Sequence, residues 1–159
     1  MGIVLKFALI FAAASIGAIS AKRVAVRAVG QYYCRGEPLV NHTVWLIERN
    51  NIFGHTKITS VQTDRKGQFD ISGNAVEWWG DPRPAVYIEH RCADEPRRTE
   101  GKICTTSETM DIPKAFQNQG YLPKYTMHLS LRRLDEPIEI HKGYATVAAT
   151  RRFWDCILI

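Results

Sequence analysis

The sequence predicts an all-β fold, a two-sheet sandwich of about 7–8 strands with at most one short helix. Three observations carry that prediction. In "YTMHLSLRR" the apolar residues recur at a period of two, with Tyr125, Met127, Leu129 and Leu131 on one face and Thr126, His128, Ser130 and Arg132 on the other. Several other segments are rich in β-branched and aromatic residues and are bounded by Gly, Pro or Asn. They recur at short intervals with turn signals between them, which is the spacing of a sandwich or barrel.

Taken in order, the chain opens on "MGIVLKFALIFAAASIGAISAKR", with Lys6 ahead of an apolar run from Phe7 to Ile19 and the small residues Ala18, Ser20 and Ala21 after it. That is the order of a secretory signal peptide. The run is short for a bilayer, and no later segment reaches the roughly 18 to 20 apolar residues of a transmembrane helix. Met1-Gly2 begins a myristoylation pattern that fails at Lys6. The expected division is 1–20 signal peptide, 21–135 sandwich domain and 136–159 C-terminal strand or tail. The protein is then expected to be secreted and extracellular, with a mature chain of about 138 residues, enough for one core without a metal. The full chain carries 21 basic and 16 acidic residues, so without Lys6 the net charge falls from +5 to +4. The basic residues are scattered as pairs, which favours anionic partners only mildly, and no nucleic-acid module is present.

Strands are expected at "RVAVRAVGQYYC" and "TVWLIER", then after a Gly67 turn at "DRKGQFDIS", where Phe69 and Ile71 share a face. In "PAVYIEHRC", Val86, Ile88, His90 and Cys92 oppose Ala85, Tyr87, Glu89 and Arg91. "YATVAAT" is a further strand candidate near the C-terminus, and "IPKAFQNQG" is where a helical turn is expected.

Four cysteines, Cys34, Cys92, Cys104 and Cys156, lie beyond the signal. An even set in an oxidising compartment implies two disulfides, with three possible connectivities. The loop "ADEPRRTEGKI" between Cys92 and Cys104 is polar and short, and closing it stabilises by roughly 3 kcal/mol in the chain-entropy model. Cys92 with Cys104 is therefore the expected pair, leaving Cys34 with Cys156. The last four residues also match a prenylation motif, but a chain in the secretory route does not meet the cytosolic transferase. Asn41-His42-Thr43 is a glycosylation acceptor sequence.

The order of "CRGEPLVNHTVWLIE", "TDRKGQFDISG", "PAVYIEHRC", Cys104, "IPKAF" and "YTMHLSL" resembles the nematode transthyretin-like family of secreted proteins. The turn from Thr63 to Phe69 and the His90-x-Cys92 pair carry the resemblance, which runs from about Val24 to Leu134. It implies a prealbumin-like sandwich. Transthyretin's enzymatic relatives, the hydroxyisourate hydrolases, look to depend on histidines, an arginine and a C-terminal Tyr-Arg-Gly-Ser. Through the "CRGEP" turn, Val29 stands where their first-strand histidine is expected and Gln62 where the arginine is, and no Tyr-Arg-Gly-Ser occurs. Valine moves no proton and a neutral glutamine does not stabilise an oxyanion as a guanidinium does, so no hydrolase is expected.

His90 and Cys92 share a strand face and could ligate zinc with Cys104 and a further histidine. The alternative, a buried histidine beside a disulfide cysteine, is the one expected in this compartment, so no metal or cofactor is assigned. The resemblance implies a non-catalytic protein of extracellular recognition or bridging, engaging a cell-surface receptor or anionic lipid headgroups. Trp78, Trp79, Arg83, Arg97 and Arg98 form the candidate binding surface, unless one tryptophan is core and the other a loop lid. The other reading is a carrier of small apolar ligands in the manner of transthyretin.

Overall fold

The computed structural model describes residues 21–50, 54–92, 102–129, 131–135 and 150–158, with 102–104 and 150–158 described by backbone alone. Its strands are β1 (Lys22–Cys34), β2 (Glu37–Pro38), β3 (Thr43–Asn50), β4 (Gly54–Gln62), β5 (Gln68–Glu77), β6 (Pro84–His90), β7 (Lys102–Asp111), β8 (Asn118–Gln119), β9 (Thr126–His128), β10 (Arg132–Arg133) and β11 (Thr150–Leu158). Lys114–Phe116 is a 3-10 turn, in the segment expected to hold one.

The strands form two sheets. In the five-stranded sheet the order is β11-β7-β6-β3-β4. In the six-stranded sheet the long β1 pairs antiparallel with β5 from Lys22↔Glu77 to Gln31↔Gln68. It also pairs with β8, with the parallel strands β9 and β10, and with β2. The inner faces pack by alternation, as the sequence pattern requires. Val26 and Ala28 of β1 and Phe69 and Ile71 of β5 meet Val44 and Leu46 of β3 and Val86 and Ile88 of β6, all buried in one cluster.

Two turns set the register of this frame. Arg35 and Gly36, at φ 53° and 83°, make the two-residue connection between β1 and β2, in which Cys34 lies opposite Glu37. Left-handed backbone at both central positions suits the right-handed twist of the strands it joins. The second turn is Thr63–Phe69. Asp64 accepts the N–H groups of Lys66 and Gln68, both at 2.8 Å, and the Thr63 hydroxyl donates to the Leu39 carbonyl. Gly67 sits at φ 74°, where a Cβ would come within 2.4 Å of the Tyr32 carbonyl oxygen. The Gly67 carbonyl in turn accepts the Tyr32 N–H at 2.9 Å. The threonine, aspartate and glycine of this turn thus each have a separate structural task.

The last expected strand is shorter than its alternation suggests. Met127 is buried and Leu129 packs against the core, but Tyr125 and Leu131 are exposed, because this strand's pairing with β1 runs only from Thr126 to His128. "YATVAAT" lies outside the described residues except for Thr150, which begins β11.

Tyr32 is buried and its ring stacks on Phe69 with centroids 5.2 Å apart. Burial, with the nearby Glu108 carboxylate, pushes its phenol above the ordinary value, and Arg132 opposes the shift. Burial and then Glu89 push Tyr87 up to about 12. A raised folded value means that both groups favour the folded state fully below about pH 10 and lose that contribution as pH rises further. The urea midpoint is therefore expected to fall steadily above about pH 10, and Tyr32→Phe is expected to flatten the fall. An equal fall in that variant would assign the alkaline loss to other groups.

Candidate functional site

Among the described residues, several places in the sandwich gather polar or exposed side chains, and three bear on the residues read from the sequence. The first is a buried cluster between the sheets beside a disulfide. Cys34, at the end of β1, is bonded to Cys92, just beyond β6, with Cα atoms 5.3 Å apart. This corrects both pairings expected from the sequence, Cys92 with Cys104 and Cys34 with Cys156. The fold brings residues 58 apart in sequence together across the sandwich, whereas the short-loop argument weighed only chain entropy. Cys104 and Cys156 are instead direct Cα partners in the antiparallel pairing of β7 with β11.

With its sulfur bonded to Cys34, Cys92 is not the thiolate that zinc ligation needs. His90 is buried, and its Nδ1 accepts the Cys92 N–H at 3.2 Å, so in the neutral ring the proton sits on Nε2. That nitrogen lies 3.9 Å from Glu108 Oε1. Arg132, from β10 of the opposite sheet, donates to both oxygens of Glu108 at 3.2 Å. This forked ion pair ties the two sheets together at the disulfide end.

The second place is the start of β1, flanked on both sides by exposed aromatic residues. Trp78 and Trp79 are 61% and 80% exposed, which excludes the reading that one of them is core. Their N–H groups both donate to the Glu77 carboxylate, and Glu77 is the strand partner of Lys22. On the other edge of β1, the Arg23 guanidinium lies 4.3 Å from the ring centroid of Tyr121, which is exposed together with Leu122. Lys22 and Lys114 both donate to Asp81, at 2.8 and 3.0 Å, and hold its carboxyl down at about 2. The sequence singled out the two tryptophans but not Tyr121, Leu122, Lys22 or Arg23, which strand pairing brings to the same end of β1. Arg83 begins just before β6, where its N–H donates to Glu48 Oε1 at 2.6 Å. Arg97 and Arg98 lie outside the described residues.

The third place is the open edge between β4 and β5, where a cavity of about 620 Å³ is lined by Val29, Gln62, Asp64, Phe69, Asp70 and Leu129, among others. Val29 and Gln62, the positions aligned with hydrolase catalytic residues, therefore do face one cavity. Among the described residues its lining contains no histidine, cysteine, serine, lysine or arginine. Of its two carboxylates, Asp64 caps its own turn and Asp70 pairs with Arg27, which holds the Asp70 carboxyl below the usual range.

A family model described as TTR-52, transthyretin-like family, matches residues 29–113, a span that holds the Thr63–Phe69 turn and both bonded cysteines. This chain belongs to the transthyretin-like family. Transthyretin-like protein 1 of Caenorhabditis elegans is 31% identical over 112 residues, covering 66% of this chain and 68% of the relative. The solved 9R-lipoxygenase from Cyanothece PCC8801 is 15% identical, over 77% of this chain and 18% of its own, at a TM-score of 0.37, and that likeness carries no argument. Among the described residues of this transthyretin-like chain, no helix is long and apolar enough to cross a membrane. The segment read as a signal peptide, 1–20, lies outside the described residues.

Proposed function

We propose that this transthyretin-like chain is a secreted, non-catalytic protein of extracellular recognition or bridging, which engages anionic phospholipid or a cell-surface receptor through the end of the sandwich where β1 begins. The observation that carries this reading is the exposed group of Trp78, Trp79, Tyr121 and Leu122 beside Lys22, Arg23 and Lys114. Aromatic residues bury their rings at a lipid–water boundary while neighbouring cations meet anionic headgroups, and the same composition is enriched in protein interfaces. The non-catalytic part rests on Val29 and Gln62 and on a cavity whose described lining residues include no nucleophile paired with a base. Asn41 suits glycosylation, since it is exposed in a turn at φ 53°.

Co-sedimentation with vesicles, with and without phosphatidylserine, tests the lipid form. Trp78→Ala/Trp79→Ala is expected to weaken binding to phosphatidylserine vesicles by roughly tenfold or more with the fold intact. Binding that ignores both the lipid charge and the tryptophans would overturn it. The carrier reading has the 620 Å³ cavity as its site, with Phe69, Leu129 and Leu131 as apolar walls. It predicts that an apolar dye bound there is displaced when Leu129→Arg fills the space.

A further inference from the structure

Two buried oxygens on facing sheets have no hydrogen-bond donor among the described residues: Glu48 Oε2 on β3 and Asn74 Oδ1 on β5. Glu48 is 3% exposed, and only its other oxygen is engaged, by the Arg83 N–H. Leaving a buried acceptor unsatisfied is costly, and more so when it is charged, so two that share one void call for an occupant with donors. They do share one. Glu48 and Asn74 both line a cavity of about 420 Å³ whose other walls include Ile58, Val76, Glu77 and Trp78.

The character of the occupant follows from these walls. Glu48 and Glu77 supply two carboxylates, so a cation is favoured over a neutral donor. Lys57 also lines the cavity, but its ammonium lies 4.8 Å from the Trp45 ring centroid and does not reach Glu48 Oε2 as a donor. Among the described residues no group of three or more His, Cys, Asp or Glu could hold a metal ion. The volume is that of a small-molecule site, and Ile58, Val76 and Trp78 offer apolar surface that a bare ion would not use.

We propose that this cavity binds an organic ammonium, a primary amine on an apolar body, either free or as a lysine side chain of a protein partner. Glu48 Oε2 and Asn74 Oδ1 accept its N–H groups, Glu77 adds charge at the mouth, and Trp78 covers the apolar part. The inference stands apart from the lipid or receptor reading, although Trp78 belongs to both surfaces.

The probes are phenethylamine for the free amine, Nα-acetyl-lysine methylamide for the side chain, and 2-phenylethanol as the neutral control. Each is titrated by tryptophan fluorescence and calorimetry against the oxidised full chain. The amine is expected to saturate with a midpoint at or below about 1 mM, at least tenfold tighter than the alcohol. Glu48→Gln is expected to remove that tenfold preference and leave the alcohol unchanged, with folding checked by circular dichroism. If that variant does not fold, Asn74→Ala is expected to weaken the amine at least fivefold. A response to the lysine derivative points to a protein partner, and a response to phenethylamine alone points to a free amine. Equal binding of amine and alcohol, no response to either amine up to about 10 mM, or wild-type affinity in the folded variants would each overturn the proposal. Under the last two outcomes, a proton shared between Glu48 and Asn74 would account for the two acceptors.

Discussion

Cys34→Ala/Cys92→Ala is expected to lower the unfolding free energy by about 4 kcal/mol, the chain-entropy value for a loop of this length. The bond closes a separation of 58 residues between the end of β1 and the end of β6, and so links strands of different sheets. Without it the unfolded chain gains freedom, and the forked Glu108–Arg132 pair loses a neighbouring covalent link between the same two sheets. For a chain of this size the loss corresponds to a fall of roughly 10–15 °C in Tm. Urea unfolding of the oxidised double variant measures it, and non-reducing peptide mapping checks the pairing independently. A loss within about 1 kcal/mol would show that the native sandwich does not depend on this cross-link. Mapping that joined Cys92 to Cys104 would refute the pairing itself.

That disulfide also marks where sequence reasoning reached its limit. Strands whose alternation is apolar against polar were legible: β1, β3 and β6 match segments read as strands to within a residue or two, β5 begins in one but runs on past it to Glu77, and Val86, Ile88, His90 and Cys92 are all buried as their shared face required. Residues of β4 and β7 were not legible as strands. In "GHTKITSVQ" most residues are exposed because β4 is a sheet edge, so little periodicity is written into it. In "KICTTSETMD" the inward positions include Thr106 and Glu108, polar residues tolerated in the core because Arg132 comes across from β10. A partner supplied from the other sheet leaves no mark in a local window.

The candidate sites divide in the same way. Adjacent tryptophans in a polar loop are conspicuous by composition, whereas Arg23 and Tyr121 are 98 positions apart and meet only because β8 pairs with β1. Glu48 had a usable signal. It follows Val44 and Leu46 at a period of two, which puts a carboxylate on the inner face, and burial now holds that carboxyl above the ordinary range with Arg83 opposing. An acidic residue at an inward position was the sign of a cavity at the sheet edge.

The forked pair itself yields the second large effect. Arg132→Met is expected to cost about 3–5 kcal/mol, because it removes one side of a buried ion pair whose Glu108 side chain is only 3% exposed. His90 stands farther from the carboxylate than Arg132 does, with its Nδ1 engaged by the Cys92 N–H and its Nε2 at 3.9 Å. Adding Glu108→Gln to that variant removes the other side of the ion pair, so the double variant is expected to recover at least about half of the loss, a coupling that a simple packing defect would not give. Arg132→Lys separates charge from geometry, since one ammonium cannot make the two parallel bonds of a guanidinium, and it is expected to fall between wild type and Arg132→Met. Denaturant unfolding of the four proteins decides the matter. If the double variant is no more stable than Arg132→Met alone, the arginine acts by filling space between the sheets, and the charge pairing contributes little to their association.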